Sequence, residues 1–190
     1  GVLDLRFRGE QLSLVELLGV ERARQLDADG TLTLQGKIEG DTTTPLVTGD
    51  LTSPRVTFAG RVLGEMLLQA TLEGRQLHVY GRPFKSASTN IHAVLREPFP
   101  YDMRLDLELP EIRPLLSSAV ASKGLSGMLS GYINAAGQIR NFASSRVTGR
   151  LDRLRLTRGD FSGQNVGPIV LAYEQGRGIV ESFTFRGVNT

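Results

Sequence analysis

Apolar side chains recur at every second position through most of this chain, the period of strands with one dry and one wet face. Leu32, Leu34, Gly36 and Ile38 share one side of Gly30 to Glu39, and Thr31, Thr33, Gln35 and Lys37 share the other. Val47, Gly49 and Leu51 continue the pattern, after which Val56 and Phe58 take the opposite parity. Pro54 sits at that change, so a bulge or bend there would return the strand to its core-facing register. Met66, Leu68, Ala70 and Leu72 alternate next, then Leu77 and Val79, then Ile91, Ala93 and Leu95, then Met103, Leu105, Leu107 and Leu109. Gly74-Arg75 reads as a tight hairpin turn between two of these runs. Sustained alternation with short turns predicts antiparallel pairing, because parallel strands need long crossovers.

Only two stretches have helical spacing. Leu12, Leu14, Val15, Leu17 and Leu18 line one helical face, and Ile112, Leu115 and Leu116 repeat the pattern after Pro110. Both are short, so tertiary packing must hold them.

The chain also repeats itself. Gly30 and Gly36 correspond to Gly131 and Gly137; Val47-Thr48-Gly49 and Leu51 correspond to Val147-Thr148-Gly149 and Leu151; Gly74-Arg75 corresponds to Gly176-Arg177. These separations of 101, 100 and 102 residues stay in phase. The expected organisation is a strand and short helix of a preceding repeat over 1–29, a first unit over 30–110 and a truncated second unit over 111–190. Such units bury their apolar sides against neighbours and grow in one dimension. These apolar stripes either fill a closed sandwich core or, in a sheet that curls without closing, line a trough with Leu32, Leu34, Ile38, Val47, Leu51, Val56, Phe58, Met66, Leu68, Leu72, Leu77, Val79, Ile91, Leu95, Leu105 and Leu107. The second unit would add Ile133, Val147, Leu151, Leu154, Leu156, Leu171 and Ile179.

Composition narrows the chemistry. Hydrophobic residues make up 40% and charged residues 22%, enough apolar content for a core. Aromatics are only 6%, so the apolar content is aliphatic. The net charge is +2 with the arginines spread along the chain, which argues against nucleic acid as a partner. The absence of cysteine removes disulfides, thiolate catalysis and cysteine-ligated metal. No apolar run approaches the roughly 18 residues of a membrane helix. The chain opens at Gly1 inside a predicted strand, Val2 to Arg8, and is expected to be a piece of a longer protein.

No P-loop, dinucleotide-binding glycine pattern or nucleophile elbow is present; Gly124-Leu125-Ser126-Gly127 has the wrong spacing for the last. His78 and His92 stand alone in strands and read as polar outer-face residues. Asp102, Asp106 and Glu108 lie opposite Met103, Leu105, Leu107 and Leu109, on a solvated face rather than in a catalytic cleft. Arg146, Arg150, Arg153 and Arg155 alternate with apolar positions; they form a soluble outer face or contact lipid headgroups or an acidic partner. No catalytic residue, metal or cofactor is expected.

Three segments, GTLTLQGKIEG (Gly30 to Gly40), PLVTGDL (Pro45 to Leu51) and GEMLLQATLEGRQLHVYG (Gly64 to Gly81), resemble the TamB and AsmA-like family of bacterial envelope proteins. The second copy, GYINAAGQI (Gly131 to Ile139), RVTGRL (Arg146 to Leu151) and GPIVLAYEQGRG (Gly167 to Gly178), carries the resemblance on but has no proline before its Val-Thr-Gly. The resemblance implies a mainly β fold: an elongated antiparallel sheet folded into a U-shaped β-taco, or repeating β-groove, with one or two short helices. It implies a periplasmic location and an inner-membrane anchor elsewhere in the full-length chain. The implied partners are phospholipid and an outer-membrane barrel assembly protein. The implied activity is passage of phospholipid along the groove between inner and outer membranes, or chaperoning of outer-membrane proteins through strand-edge pairing.

Overall fold

The computed structural model describes residues 1–58, 61–113, 116, 124–174 and 176–189. Strand takes 75% of the chain and helix 6%, so the fold is mainly β and antiparallel, as the alternation predicts. The chain divides into two compact units, Gly1–Phe99 and Pro100–Thr190. The repeat boundaries read from the sequence fall elsewhere, before Gly30 and after Pro110.

In the first unit six strands pair antiparallel in chain order: β1 (Val2–Ser13), β2 (Asp29–Asp41), β3 (Pro45–Phe58), β4 (Arg61–Glu73), β5 (Gln76–Phe84) and β6 (Ala87–Val94). The expected turn forms at Gly74, with φ 58°, and pairs Glu73 with Gln76. The register shifts between Ser53 and Val56, around Pro54, and Val56 comes back to the buried side. Ser53, buried at the shift, is satisfied: its hydroxyl lies 2.8 Å from the Thr31 carbonyl and 3.0 Å from the Arg55 carbonyl.

Two helices, α1 (Leu14–Leu18) and α2 (Val20–Leu26), join β1 to β2. Leu12 is not helical as its spacing suggests; it ends β1, opposite Leu32. The helix break falls at Gly19, whose φ of 81° suits glycine, and α2 closes on Asp27 in the left-handed region with the Ala28 N–H donating to the Ala23 carbonyl.

The second unit holds β7 (Pro100–Leu109), β8 (Ser126–Gln138) and β9 (Asn141–Arg158), again antiparallel in order. Beyond β9 the next strand position is split. β10 (Phe161–Asn165) pairs with the end of β9, and β11 (Ile169–Glu174) with its middle. β12 (Arg177–Ser182) follows beside β11, and β13 (Phe185–Asn189) beside β10. Asn165 bridges the break. Its Oδ1 accepts the Leu154 N–H at 2.7 Å, and its Nδ2 donates to the carbonyls of Asp152 and Gly167. It thereby satisfies backbone groups that a continuous strand would have paired. Of the second predicted helix, Ile112 is buried and the Leu116 N–H donates to the Arg113 carbonyl; Leu115 lies outside the described residues.

Candidate functional site: the apolar face of each unit

Residues directly opposite in an antiparallel pair point to the same face, so the registers assign every side chain to a side. In the first unit one face carries three rows across the strands. Leu34, Leu51 and Leu68 oppose one another in turn; so do Gly36, Gly49 and Ala70; so do Ile38, Val47 and Leu72. Val79, Ile91 and Leu77 extend the face onto β5 and β6. The middle row is nearly without side chains, and it lies between two walls of branched aliphatics. Phe7, opposite Gly36, lays its ring over that glycine, where a Cβ would overlap both the ring and the Thr48 carbonyl oxygen. An aromatic ring folded over a strand glycine fills the space that the glycine leaves.

Burial along this face is uneven. Leu32, Val56 and Met66 are sealed, Leu32 to 1% exposure, and Leu12, Leu14, Leu51 and Leu68 pack against them. Leu14 comes from α1, so the helical segment covers this end. The other wall residues, Leu34, Ile38, Val47, Leu51, Leu68, Leu72, Leu77, Val79 and Ile91, are only half-buried. Phe58 and Leu95, also expected on the wall, sit exposed at or beyond strand ends: Phe58 opposite Arg61, Leu95 donating its N–H to the Arg75 carbonyl.

The opposite face is polar. Gln35 and Gln69 both donate to Asp50, at 3.4 and 3.0 Å. Lys37 bridges Asp4 and Glu39; its hydrogen bond to Glu39 outweighs desolvation and, with the charges of Asp4 and Glu39, holds its pKa above the ordinary lysine value. Two cavities of about 690 and 430 Å³ open toward this side; Arg6, Arg8, Gln35, Lys37 and Thr48 line the larger, Thr52, Leu67 and Arg82 part of the smaller. The two histidines lie on this face as expected, but not apart. His78 and His92 are direct cross-strand partners with rings stacked at 4.2 Å, and His78 Nε2 is 2.8 Å from Asn90 Oδ1. Two residues fourteen positions apart in sequence meet only through the β5–β6 register, which no spacing rule reveals. Among the described residues, no group of three or more His, Asp or Glu side chains could hold a metal ion.

In the second unit Leu105, Ile133, Gly149 and Leu171 form one row; Leu107, Gly131, Leu151 and Ile169 form the next. Val147 lies beside them opposite Ala135, while Leu154 and Leu156 return to this face after a register shift in β9. Ile179 does not join them. It pairs with Ala172 and falls on the far side, while Val180 takes the place opposite Leu171. The expected turn at Gly176-Arg177 is one residue off, since Arg177 is already in β12 opposite Glu174. Arg146, Arg150 and Arg155 lie on the polar face with Arg104 and Asp106. Arg104 binds Asp106 at 2.8 Å and lies 4.2 Å above the Tyr132 ring, and Arg150 binds Asp152 at 2.7 Å. The acidic pairs noted in the sequence are thus met by arginines on an outer surface.

No known family, curated protein or solved structure matches the chain. No helix among the described residues is long and apolar enough to cross a membrane.

Proposed function

We propose that the chain is a non-catalytic lipid-conduit segment, which shields phospholipid acyl chains on the apolar sheet faces during transport between inner and outer membranes. The observation that carries this reading is the shallow row Gly36, Gly49 and Ala70, capped at Gly36 by the Phe7 ring and set between aliphatic walls that are only half-buried. An acyl chain laid along that row, across the strands, recovers about 0.8 kcal/mol for each methylene taken out of water. Aliphatic walls make no directional contacts, so neighbouring positions bind almost equally and a chain can advance without leaving a deep well. The resemblance to the TamB and AsmA-like family supports the same reading. With it come a periplasmic setting, an inner-membrane anchor in the full-length chain and an outer-membrane barrel assembly protein as partner.

Native mass spectrometry of the gently purified chain tests this. The expected result is a set of phospholipid mass increments on the wild type, reduced in a folded Leu68→Asp variant. Wild-type protein that stays bare when purified with phospholipid present contradicts the reading. One observation favours a second reading, strand-edge pairing with outer-membrane proteins: β1 pairs with β2 and, among the described residues, with no other strand. Under that reading an extended apolar peptide, not lipid, protects the β1 amides from hydrogen exchange.

A further inference from the structure

The helical segment of the first unit sits on the same wall that the proposed lipid would use. Leu34, Leu51 and Leu68 form a half-buried row, and Leu32, Ser53 and Met66 are the neighbouring positions on the same three strands. The wall is therefore continuous, half-buried at one row and sealed at the next, and Leu14 of α1 packs on the sealed part.

What holds the segment down is limited. α1 has five residues and α2 seven, and neither has a side-chain cap at its N-terminus. Isolated helices of this length are not stable in water. Among the described residues, the backbone hydrogen bonds of 14–28 outside regular helix pairing close on the segment itself: Ala23 to Gly19, Asp27 to Arg24 and Ala28 to Ala23. No backbone bond in that set ties it to the sheet. Among the described residues, Leu14 of α1 packs on the Leu32, Val56 and Met66 cluster, and Ala23 and Ala28 are also buried.

The backbone on either side is suited to movement. Gln11, in the irregular stretch of β1 just before α1, has φ 56°, a region that residues other than glycine seldom occupy. Gly19 separates the two helices, and Asp27 with φ 45° ends the second. The segment is also apolar outward: Leu17 and Val20 are about 60% exposed. Lifted from the wall, it has a second greasy side that can settle back onto an acyl chain.

We propose that α1 and α2 are a displaceable plug that closes one end of the apolar face, and that an acyl chain competes with Leu14 for Leu32, Val56 and Met66. The inference rests on the lipid-conduit reading and adds regulation to it: the face is open along the Gly36–Gly49–Ala70 row and gated at its helical end. An acyl chain that reaches the Leu34–Leu51–Leu68 row meets Leu14 on the next one, and displacing Leu14 widens the exposed apolar face by one row.

The test uses the chain as it stands and palmitate as the probe. Hydrogen exchange of the 15–26 amides is measured with and without saturating palmitate. Palmitate affinity is then measured for wild type, Leu14→Ala and Leu14→Asp. The expected result is exchange in 15–26 faster by tenfold or more with palmitate, and affinity higher by severalfold in both variants because the internal competitor is weakened. Palmitate binding that leaves 15–26 unchanged, with variants no tighter than wild type, overturns the plug and leaves the conduit standing. No palmitate binding to any of the three proteins overturns both. The wild-type exchange result stands even if Leu14→Asp fails to fold.

Discussion

The two copies of the repeat keep their residues in phase along the chain, yet they do not pair them alike. In the first unit Gly49 faces Gly36. In the second, Gly149 faces Ile133, four residues before Gly137, the sequence counterpart of Gly36. A slip of four, being even, keeps every side chain on its own face and moves only the partners. Its effect is local and large. Glycine stands beside glycine in one copy and a shallow row opens, whereas in the other Ile133 and Leu171 flank the glycine and fill it. The structural counterpart of Gly30 is accordingly Gly127 rather than Gly131. A Cβ on Gly30 would press on the Arg55 carbonyl oxygen, and one on Gly127 on that of Arg155. The same polarity pattern thus yields an open surface in one place and a filled one in another, decided by strand register.

The comparison breaks most readily at the glycines. Gly36→Val places a side chain against the Phe7 ring and the Thr48 carbonyl, and is expected to cost about 3 kcal/mol in urea unfolding, the upper end for overpacking. A Cβ on Gly149 meets nothing nearer than Leu171 Cβ at 3.6 Å, so Gly149→Ala is expected to change stability by less than about 1 kcal/mol, whereas Gly36→Ala already overlaps the Phe7 ring and the Thr48 carbonyl oxygen. Equal costs would mean that the two glycines have the same surroundings after all. The next contrast lies beneath the helices. Leu32→Ala empties a sealed site and is expected to cost about 2–4 kcal/mol, whereas Leu129→Ala, at a half-buried position opposite Leu109, should cost about half as much by the same measurement.

Ligand binding sharpens the comparison further. Ala70→Leu adds a branched side chain to the open row and should weaken palmitate binding about fourfold, the equivalent of one methylene, in a fluorescent fatty-acid displacement titration. Ile133→Ala should do the reverse by clearing the row of the second unit. The smallest effect lies away from both rows. Asp41 accepts from the Thr43 hydroxyl and then from the Thr43 N–H, and these bonds hold its pKa below the ordinary 3.8. A depressed folded value stabilises the fold above the unfolded pKa, and that contribution fades as pH falls through the folded value, so the window lies below 3.8. Thr43→Val should move the Asp41 titration, followed by NMR, up toward 3.8 and lower stability slightly at pH 7, with the difference from wild type vanishing at pH well below the folded value.

Much of this was legible in the alternation. It places Leu34, Leu51, Leu68 and their neighbours on one face, and it identifies Pro54 as the point where β3 changes parity. Period two is a local property, set by each residue's own backbone, and so it survives in a single sequence. Register is not local. Gly137 resembles Gly36 in sequence, but its strand slides by four because pairing maximises contact over the whole strand. For the same reason His78 and His92 read as isolated and prove to be stacked. α2 was missed because Val20 to Leu26 is mostly polar and lacks a helical stripe; Ala23 alone is buried in it, and alanine gives little hydropathy signal. Ile179 was assigned to the wrong face because the register of β12 shifts between its two ends, so parity read from one end fails at the other.

Neighbouring residues on opposite faces allow the central claim to be tested at one strand. A photoreactive amino acid is placed at Leu51 or at Asp50, and each protein is irradiated with alkyne-tagged phospholipid. Lipid adducts at Leu51 well above those at Asp50 are predicted. Equal labelling at the two positions, or none at Leu51, would contradict the claim that acyl chains lie on the aliphatic side of the sheet.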